Sequence, residues 1–502
     1  MHGLIPHDFV DGSYRRCRRG DGVRSSPRTA LALATVLTAF VAVGGAARAQ
    51  TLAEAMAAAY NTNPTLLGAR AQTRAVDENV PQALSNWRPT VIVTGAAGYA
   101  DVSSRTRGIG PAPAREPISI YTDLNRTPLN LNASVTQPLY RGGRTVSGTR
   151  RAENQVFAQR ARLLVTEQQV LQDVTTAYVS VIRDQELARL NANNVVVLNR
   201  QLQATNERFR VGEITRTDVA QAESRLAGAQ AQLEQAEGTL QVTRATFQRV
   251  IGLVPGRLTT PGVLVAPVRS ADAAVQMASE NNPAVVAALF DEAAARDNID
   301  IQFGVLLPSA NVVTQAFRID NNTGRGQRTT GGQVTANLTV PLYQGGAEYS
   351  AVRQARQLAQ QSRQVLEETR RAAATNARQA WEQLRTARAQ VDSVRAQIRA
   401  QEIALDGVQR EAVVGSRTTL DVLNAEQELL NARTSLVQAA ATQVLASYSL
   451  VQTIGRLTAR DLRLPVQIYD AEAYYRAVRN RWVGTGDYSG VADTPPAPNG
   501  GR

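Results

Sequence analysis

Apolar residues recur along this chain in two rhythms, and each rhythm is written twice. In LNLNASVTQPLY, Leu129, Leu131, Ala133, Val135 and Leu139 alternate with Asn130, Asn132, Ser134 and Thr136. In QVTANLTVPLY, Val334, Ala336, Leu338, Val340 and Leu342 alternate with Gln333, Thr335, Asn337 and Thr339. A period of two predicts strands with one apolar and one polar face. Two weaker candidates, PTVIVTGAAGYA and PSANVVTQAFRID, precede them, so each half of the chain is expected to hold two strands. Runs of about ten residues can cross a membrane as tilted strands. A soluble, half-buried sheet shows the same alternation. The unbroken Asn/Ser/Thr/Gln face and the terminal Tyr140 and Tyr343 turn the reading toward a barrel wall.

The second rhythm steps by threes and fours. Ala380, Leu384, Ala387, Val391, Val394, Ile398, Gln401, Leu405, Val408 and Ala412 form one such run, and Val422, Ala425, Leu429, Ala432, Leu436 and Ala439 form another. Val219, Ala222, Leu226, Ala229, Leu233, Ala236 and Leu240 repeat it in the first half. Sustained heptads predict coiled-coil packing. Leu423, Leu430, Val437, Val444 and Val451 add a second seam seven residues apart, which predicts a helix packed on both sides. The span from Gly143 to Val211 would form a helix of about 100 Å.

The two halves are copies. At an offset of 203 residues the match runs without a gap from Pro138/Pro341 to Gly252/Gly455; upstream the offset is 219, pairing Asn63-Pro64 with Asn282-Pro283 and Pro89 with Pro308. The 16-residue difference falls in a Pro/Gly-rich insert, RTRGIGPAPAREP (Arg105 to Pro117), expected to be a surface loop. Each unit opens with a short helix and an Ala-rich helix stopping at Pro89 or Pro308. The expected organisation is a signal segment (1–49), a first repeat (50–257), a linker (258–270), a second repeat (271–465) and a C-terminal tail (466–502). The tail would hold a short helix and a disordered end.

Between the second strand and the long helix of each half stands Pro-Leu-Tyr-x-Gly-Gly: Pro138, Tyr140, Gly142 and Gly143, then Pro341, Tyr343, Gly345 and Gly346. As a joint, proline would end the ladder, tyrosine would sit at the membrane interface, and the paired glycines would let the backbone swing from strand to helix.

Composition narrows the function. Arg15 to Arg28, the apolar run Ala30 to Val43 and Ala47-x-Ala49 read as a signal peptide, the apolar run being too short for a spanning helix. The chain's only His and Cys residues, His2, His7 and Cys17, lie within it. The exported protein would then have no disulfide, no Cys/His metal site and no His- or Cys-based catalysis, so neither enzyme nor cofactor is expected. The net charge of +12 is carried by arginine without lysine, and about +8 remains beyond residue 49. These arginines alternate with Glu, Asp and Gln on helical stretches, as on solvated faces, and no nucleic-acid partner is expected.

Four strands cannot close a barrel, so a membrane-spanning reading requires several copies sharing one. Two, three or four copies meet that demand.

With its Asn-Pro helix starts, Pro-Leu-Tyr-x-Gly-Gly joints and two VG…T…DV turns, the chain resembles the TolC-family outer-membrane efflux proteins over about 51–465. The resemblance implies a mixed, mainly α fold: a long antiparallel coiled-coil helical barrel below a transmembrane β-barrel shared by a homotrimer, with four strands per chain. It implies a passive exit duct in the outer-membrane lipid, recruited by a periplasmic adaptor (membrane fusion protein) and an inner-membrane RND or ABC transporter. Val211, Gly212, Val414 and Gly415 would form the tips on which the adaptor docks. Arg417 would bond Thr217 and Asp218 to hold the tunnel end closed, and Asp421 would line an acidic constriction. A family Tyr is Ala412 here and a second ring Asp is Asn424, implying a looser, less acidic gate. Asp218 and Asp421 also suit helix N-caps. The competing expectation is a soluble periplasmic coiled-coil adaptor or scaffold, which leaves the strands and duplicated joints unexplained.

Overall fold

The computed structural model describes residues 50–113 and 115–491; the expected signal peptide (1–49) and the end of the tail (492–502) lie outside the described residues. The first repeat runs α1 (Leu52–Thr62), α2 (Pro64–Asp77), α3 (Asn79–Leu84), β1 (Thr90–Ala97), β2 (Ala100–Ile109), β3 (Pro117–Arg126), β4 (Leu129–Arg141), α4 (Arg144–Arg210) and α5 (Arg216–Ile251). The second runs α6 (Ala271–Asn281), α7 (Pro283–Phe303), β5 (Ser309–Asp320), β6 (Arg328–Thr339), α8 (Ala347–Val413) and α9 (Thr419–Thr453), followed by the short α10 (Ala473–Val478).

Both Asn-Pro pairs do the same work. Asn63 accepts from the backbone of Thr65 at 2.9 Å, capping α2, and donates Nδ2 to the Val250 carbonyl at 3.0 Å. Asn282 caps α7 through Ala284 and donates to the Thr453 carbonyl, both at 2.9 Å. One amide thus starts a short helix and fastens it to the end of a long one. The single Ala-rich helix expected in the first half is broken. Pro81 lacks an N–H, and its ring would clash with the carbonyl of Asp77 in a continued helix, so α2 stops and α3 restarts. The matching position is Asp300, and α7 is continuous to Phe303, short of Pro308.

The first half holds four strands rather than the expected two. The insert read as a surface loop supplies the end of β2 and the start of β3; only its tip turns. β1 pairs antiparallel with β4 up to Ala97↔Leu129, and β2 resumes with β3 at Ala100↔Arg126, so the same hairpin continues in register past a short break. An antiparallel ladder extends wherever both arms can stay extended, and this ribbon adds about 33 Å of hairpin. The equivalent hairpin β5–β6 turns at residues 321–327.

The sheet order is β1-β4-β5-β6, which leaves β1 and β6 as edges. Its register puts Val91 opposite Val135, and Val334 opposite Thr314, on one face. Asn132, Ser134 and Thr136 share the other face with Gln315 and Gln333, whose side-chain amides bond at 2.8 Å. On the central strand β4 the apolar face is the barer one, with Leu131, Ala133 and Val135 exposed and Asn130, Asn132 and Ser134 half-buried, while β1 and β6 are exposed on both faces.

Below the sheet, α4 and α8 each run 67 residues, about 100 Å. The expected seams hold. Ala380, Leu384, Ala387, Val391 and Val394 are buried on α8, as are Val422, Leu429, Ala432 and Ala439 on α9. The second seam of α9 faces the first repeat: Leu423 packs with Leu198 of α4 and Ala229 of α5, and Val444 and Val451 join Leu171 and Val174. The linker 258–270 is pinned rather than loose, through Tyr178 Oη to the Thr259 carbonyl at 2.8 Å and Leu264 N to Ser447 Oγ at 3.1 Å.

The tail doubles back over α2, α3 and α4. Arg70 is sandwiched between the rings of Tyr60 and Tyr469 at 4.5 and 5.1 Å, and Tyr474 donates to Glu78 at 2.8 Å. Asp77, 1% exposed, has no hydrogen-bond partner on either carboxylate oxygen. Burial pushes its pKa up to about 7 against the attraction of Arg160.

Candidate functional site: strand–helix joints and helical tips

At both joints the paired glycines take left-handed backbone: Gly142 and Gly143 at φ +61° and +77°, Gly345 and Gly346 at +73° and +86°. Gly143 and Gly346 occupy the N-cap positions of α4 and α8. The change from extended chain to helix is made there. The proline behaves differently in the two copies. β4 is a central strand and runs through Pro138 to Arg141, its ladder with β5 shifting register between Pro138 and Tyr140. A missing N–H inside a paired strand is absorbed as a bulge. β6 is an edge and stops at Thr339, before Pro341. Tyr140 and Tyr343 are exposed at 46% and 77%.

The joints differ in one further respect. A Cβ on Gly142 would stand 2.3 Å from the Gly304 carbonyl, whereas around Gly345 there is open space. In the first repeat the joint is wedged against the end of α7; in the second it is free.

The other ends of the helices carry the two VG turns. After α4, Gly212 takes φ +80° and Glu213 N returns to the Arg208 carbonyl at 3.0 Å; after α8, Gly415 takes φ +82° and Ser416 N returns to Glu411 at 3.0 Å. These are Schellman-type endings. Their apolar residues stay outside: Val211 and Val414 are 78% exposed and Val413 88%.

Each turn feeds a capping box. Thr215 caps α5 and Thr418 caps α9, with Asp218 and Asp421 three residues in. Asp218 Oδ2 accepts from Thr215 N at 2.9 Å, and Asp421 Oδ2 from Thr418 N at 2.9 Å. The aspartates are therefore partners of the N-cap rather than the cap itself. The pattern T-x-x-D announces this in the sequence. The hydroxyl and N–H of Thr215 hold the Asp218 carboxyl below the usual carboxylate range; the N–H and hydroxyl of Thr418 do the same for Asp421. Both are anions.

Arg417 bonds Glu411 at 2.9 Å, with Asp421 near enough to add to the field holding it protonated. Among the described residues, no hydrogen bond or ion pair of the single chain joins Arg417 to Thr217, which is exposed in the first turn of α5, or to Asp218. Asn424 is engaged from the other repeat: Arg225 on α5 donates to its Oδ1 at 3.0 Å. That bond and the Leu198–Ala229–Leu423 cluster show that both turns lie at one end of the molecule. Neither Arg225 nor Glu411 was legible as a site residue: helix packing brings Arg225 to Asn424, and the folding of the turn brings Glu411 to Arg417. The arrangement is a long, capped helical framework ending in two exposed apolar turns backed by fixed charges.

Outer membrane efflux protein, as a family, matches residues 55–253 and 274–456, one segment on each repeat. The chain belongs to this family. It is 35% identical over 456 residues to the outer membrane efflux protein BepC of Brucella suis, covering 90% of this chain and 96% of BepC. It is 26% identical over 437 residues to the outer membrane protein TolC of Vibrio cholerae, covering 85% and 95%. The solved structure of VceC from Vibrio cholerae superposes with a TM-score of 0.69 at 18% identity, over 80% of this chain and 96% of that one. This efflux protein is an outer-membrane exit channel, with the TolC-type fold of strands above long helices; the soluble-adaptor reading is not favoured.

Proposed function

We propose that three copies of this efflux protein close a twelve-stranded barrel, and that its helices continue as a tunnel through the periplasm. One observation carries the proposal: the sheet has two unpaired edges, β1 and β6, and a bare apolar face. In lipid each unpaired backbone group costs several kcal/mol, so the edges must meet those of other copies. Twelve strands lie within the range of known closed barrels. The segments 50–257 and 271–465 then act as equivalent units, each supplying one hairpin and one long helical pair.

A periplasmic adaptor would dock on the exposed Val211, Gly212, Val414 and Gly415, coupling the duct to an RND or ABC transporter of the inner membrane. Thr217, Asp218, Arg417, Asp421 and Asn424 would form the gate and constriction at that end. Their gathering on adjoining turns supports this role. Because Arg417 and Asp218 have intrachain partners, closure would draw on contacts between copies.

Cysteines placed on β1 and β6 test the barrel. Oxidation in intact outer membranes should give bands of one, two and three copies and nothing larger; a ladder ending at two, or no crosslink, overturns the trimer. For the gate, Arg417→Ala and Asp218→Ala should each raise single-channel conductance in planar bilayers, and unchanged conductance in both removes the assignment.

A further inference from the structure

The tail does not end in the helical region. It climbs α4 toward the first joint, with Arg160 facing Glu472 at 3.4 Å and then Arg479 facing Glu153 at 3.0 Å. At the top the Arg88 guanidinium lies over the ring of Trp482 at 5.0 Å and donates to the Arg481 carbonyl at 2.5 Å. Arg88 stands two residues before the first membrane strand. This delivers large apolar groups to the foot of the sheet: Trp482 is 66% exposed and Val483 86%, beside Trp87 at 39%. Trp87 and Arg88 lead along the chain into β1, where Val91 is 69% exposed. Three guanidiniums belong to this region: Arg88, Arg481 stacked on Tyr488 at 3.8 Å, and Arg141, which bonds Asn86 two residues before Arg88.

We infer that Arg481–Val483 is an interfacial anchor, its indole and Val483 inserted among the phospholipids of the leaflet where the strands leave the membrane. Tryptophan partitions to that depth because its ring is apolar and its N–H needs a partner. Arginine pairs with phosphate through two parallel N–H donors, and here the guanidiniums flank the indole at headgroup level. Among the described residues, Arg479 and Arg481 of the tail meet Glu153 and Arg88, both of the first repeat. Each copy would thus carry one such anchor. The inference rests on the barrel reading above, which sets this end of the strands at the membrane boundary.

Val483 is exposed and tolerates a label. A Cys17→Ser, Val483→Cys chain carrying the environment-sensitive fluorophore NBD would be reconstituted into phosphatidylethanolamine/phosphatidylglycerol vesicles and checked for conductance. In conducting vesicles the anchor gives a blue-shifted, brighter emission, quenched more by lipids spin-labelled near the headgroup than by those labelled at the chain end. Water-like emission in conducting vesicles overturns it. A blue shift insensitive to lipid-borne quenchers also overturns it, by assigning the patch to a neighbouring copy. Failure to conduct or insert would remove the barrel reading, and the anchor with it.

Discussion

Arg225 donates to Asn424 across 3.0 Å and joins the returning helix of one repeat to that of the other, close behind both turns. The family resemblance leads one to expect an aspartate at position 424; here an amide oxygen accepts the bond instead. Because Asn424 is neutral, the pair links the two helices while keeping the full positive charge of the guanidinium.

Arg225→Ala should loosen the tips, by about 0.2–1 kcal/mol as for other exposed pairs. Limited proteolysis at the turns is expected to speed up. Asn424→Asp turns the bond into an ion pair and should slow cleavage at low salt, with the benefit fading as salt is added. A cleavage rate indifferent to both changes would show that the bond does not hold the turns.

Gly142 and Gly345 separate two costs that a joint can carry. Both take left-handed backbone, worth roughly 1–2 kcal/mol against any other residue. Only Gly142 would also drive a Cβ into the Gly304 carbonyl. Gly142→Ala should therefore abolish or sharply lower the yield of heat-resistant assembly, while Gly345→Ala lowers its melting point only modestly. Equal losses would refute the wedge at α7.

Thr215→Ala and Thr418→Ala each remove an N-cap and should cost about 1 kcal/mol. Hydrogen exchange is expected to accelerate in the first turns of α5 and α9 and not at the joints. The partner carboxyls have folded pKa values below their unfolded ones. Their contribution is thus present above the unfolded carboxylate pKa and is lost as pH falls through the folded value. Tip protection that survives well below that range would argue against the caps.

Asp77 shows the opposite sign. Its folded pKa of about 7 lies above the ordinary aspartate value of 3.8, so the neutral acid favours the folded state. That contribution is complete below pH 3.8 and is lost as pH rises through about 7. Asp77→Asn, which keeps the shape without the charge, should raise thermal stability at pH 8, by roughly 1–3 kcal/mol on a scale of 1.36 kcal/mol per pKa unit. It should do little at pH 4. A gain independent of pH would mean that the carboxyl does not titrate in that range.

Much of the fold could be read before any coordinates. The period-two runs, the heptads, the Asn-Pro starts and the doubled glycines are local devices, each acting within a few residues of itself, so their meaning survives in the linear chain. Periodicity told which face of each strand is apolar, and the second seam of α9 foretold a helix with neighbours on two sides. The capping partners of Asp218 and Asp421 were also within reach, three residues upstream.

What the chain alone left undecided involves partners far apart in sequence. Whether Pro138 ends a strand depends on whether that strand has a neighbour on each side; β4 does and β6 does not, so one phrase has two outcomes. The Arg105–Pro117 insert became a ribbon because its arms found each other in the register already set by β1 and β4. Asn424 meets Arg225 because the packing of α5 near α9 brings the two side chains together. Local sequence determined the caps, turns and glycine joints that start and stop the long helices. Tertiary packing decided which side chains meet, since that choice follows from distances between segments that no spacing along the chain encodes.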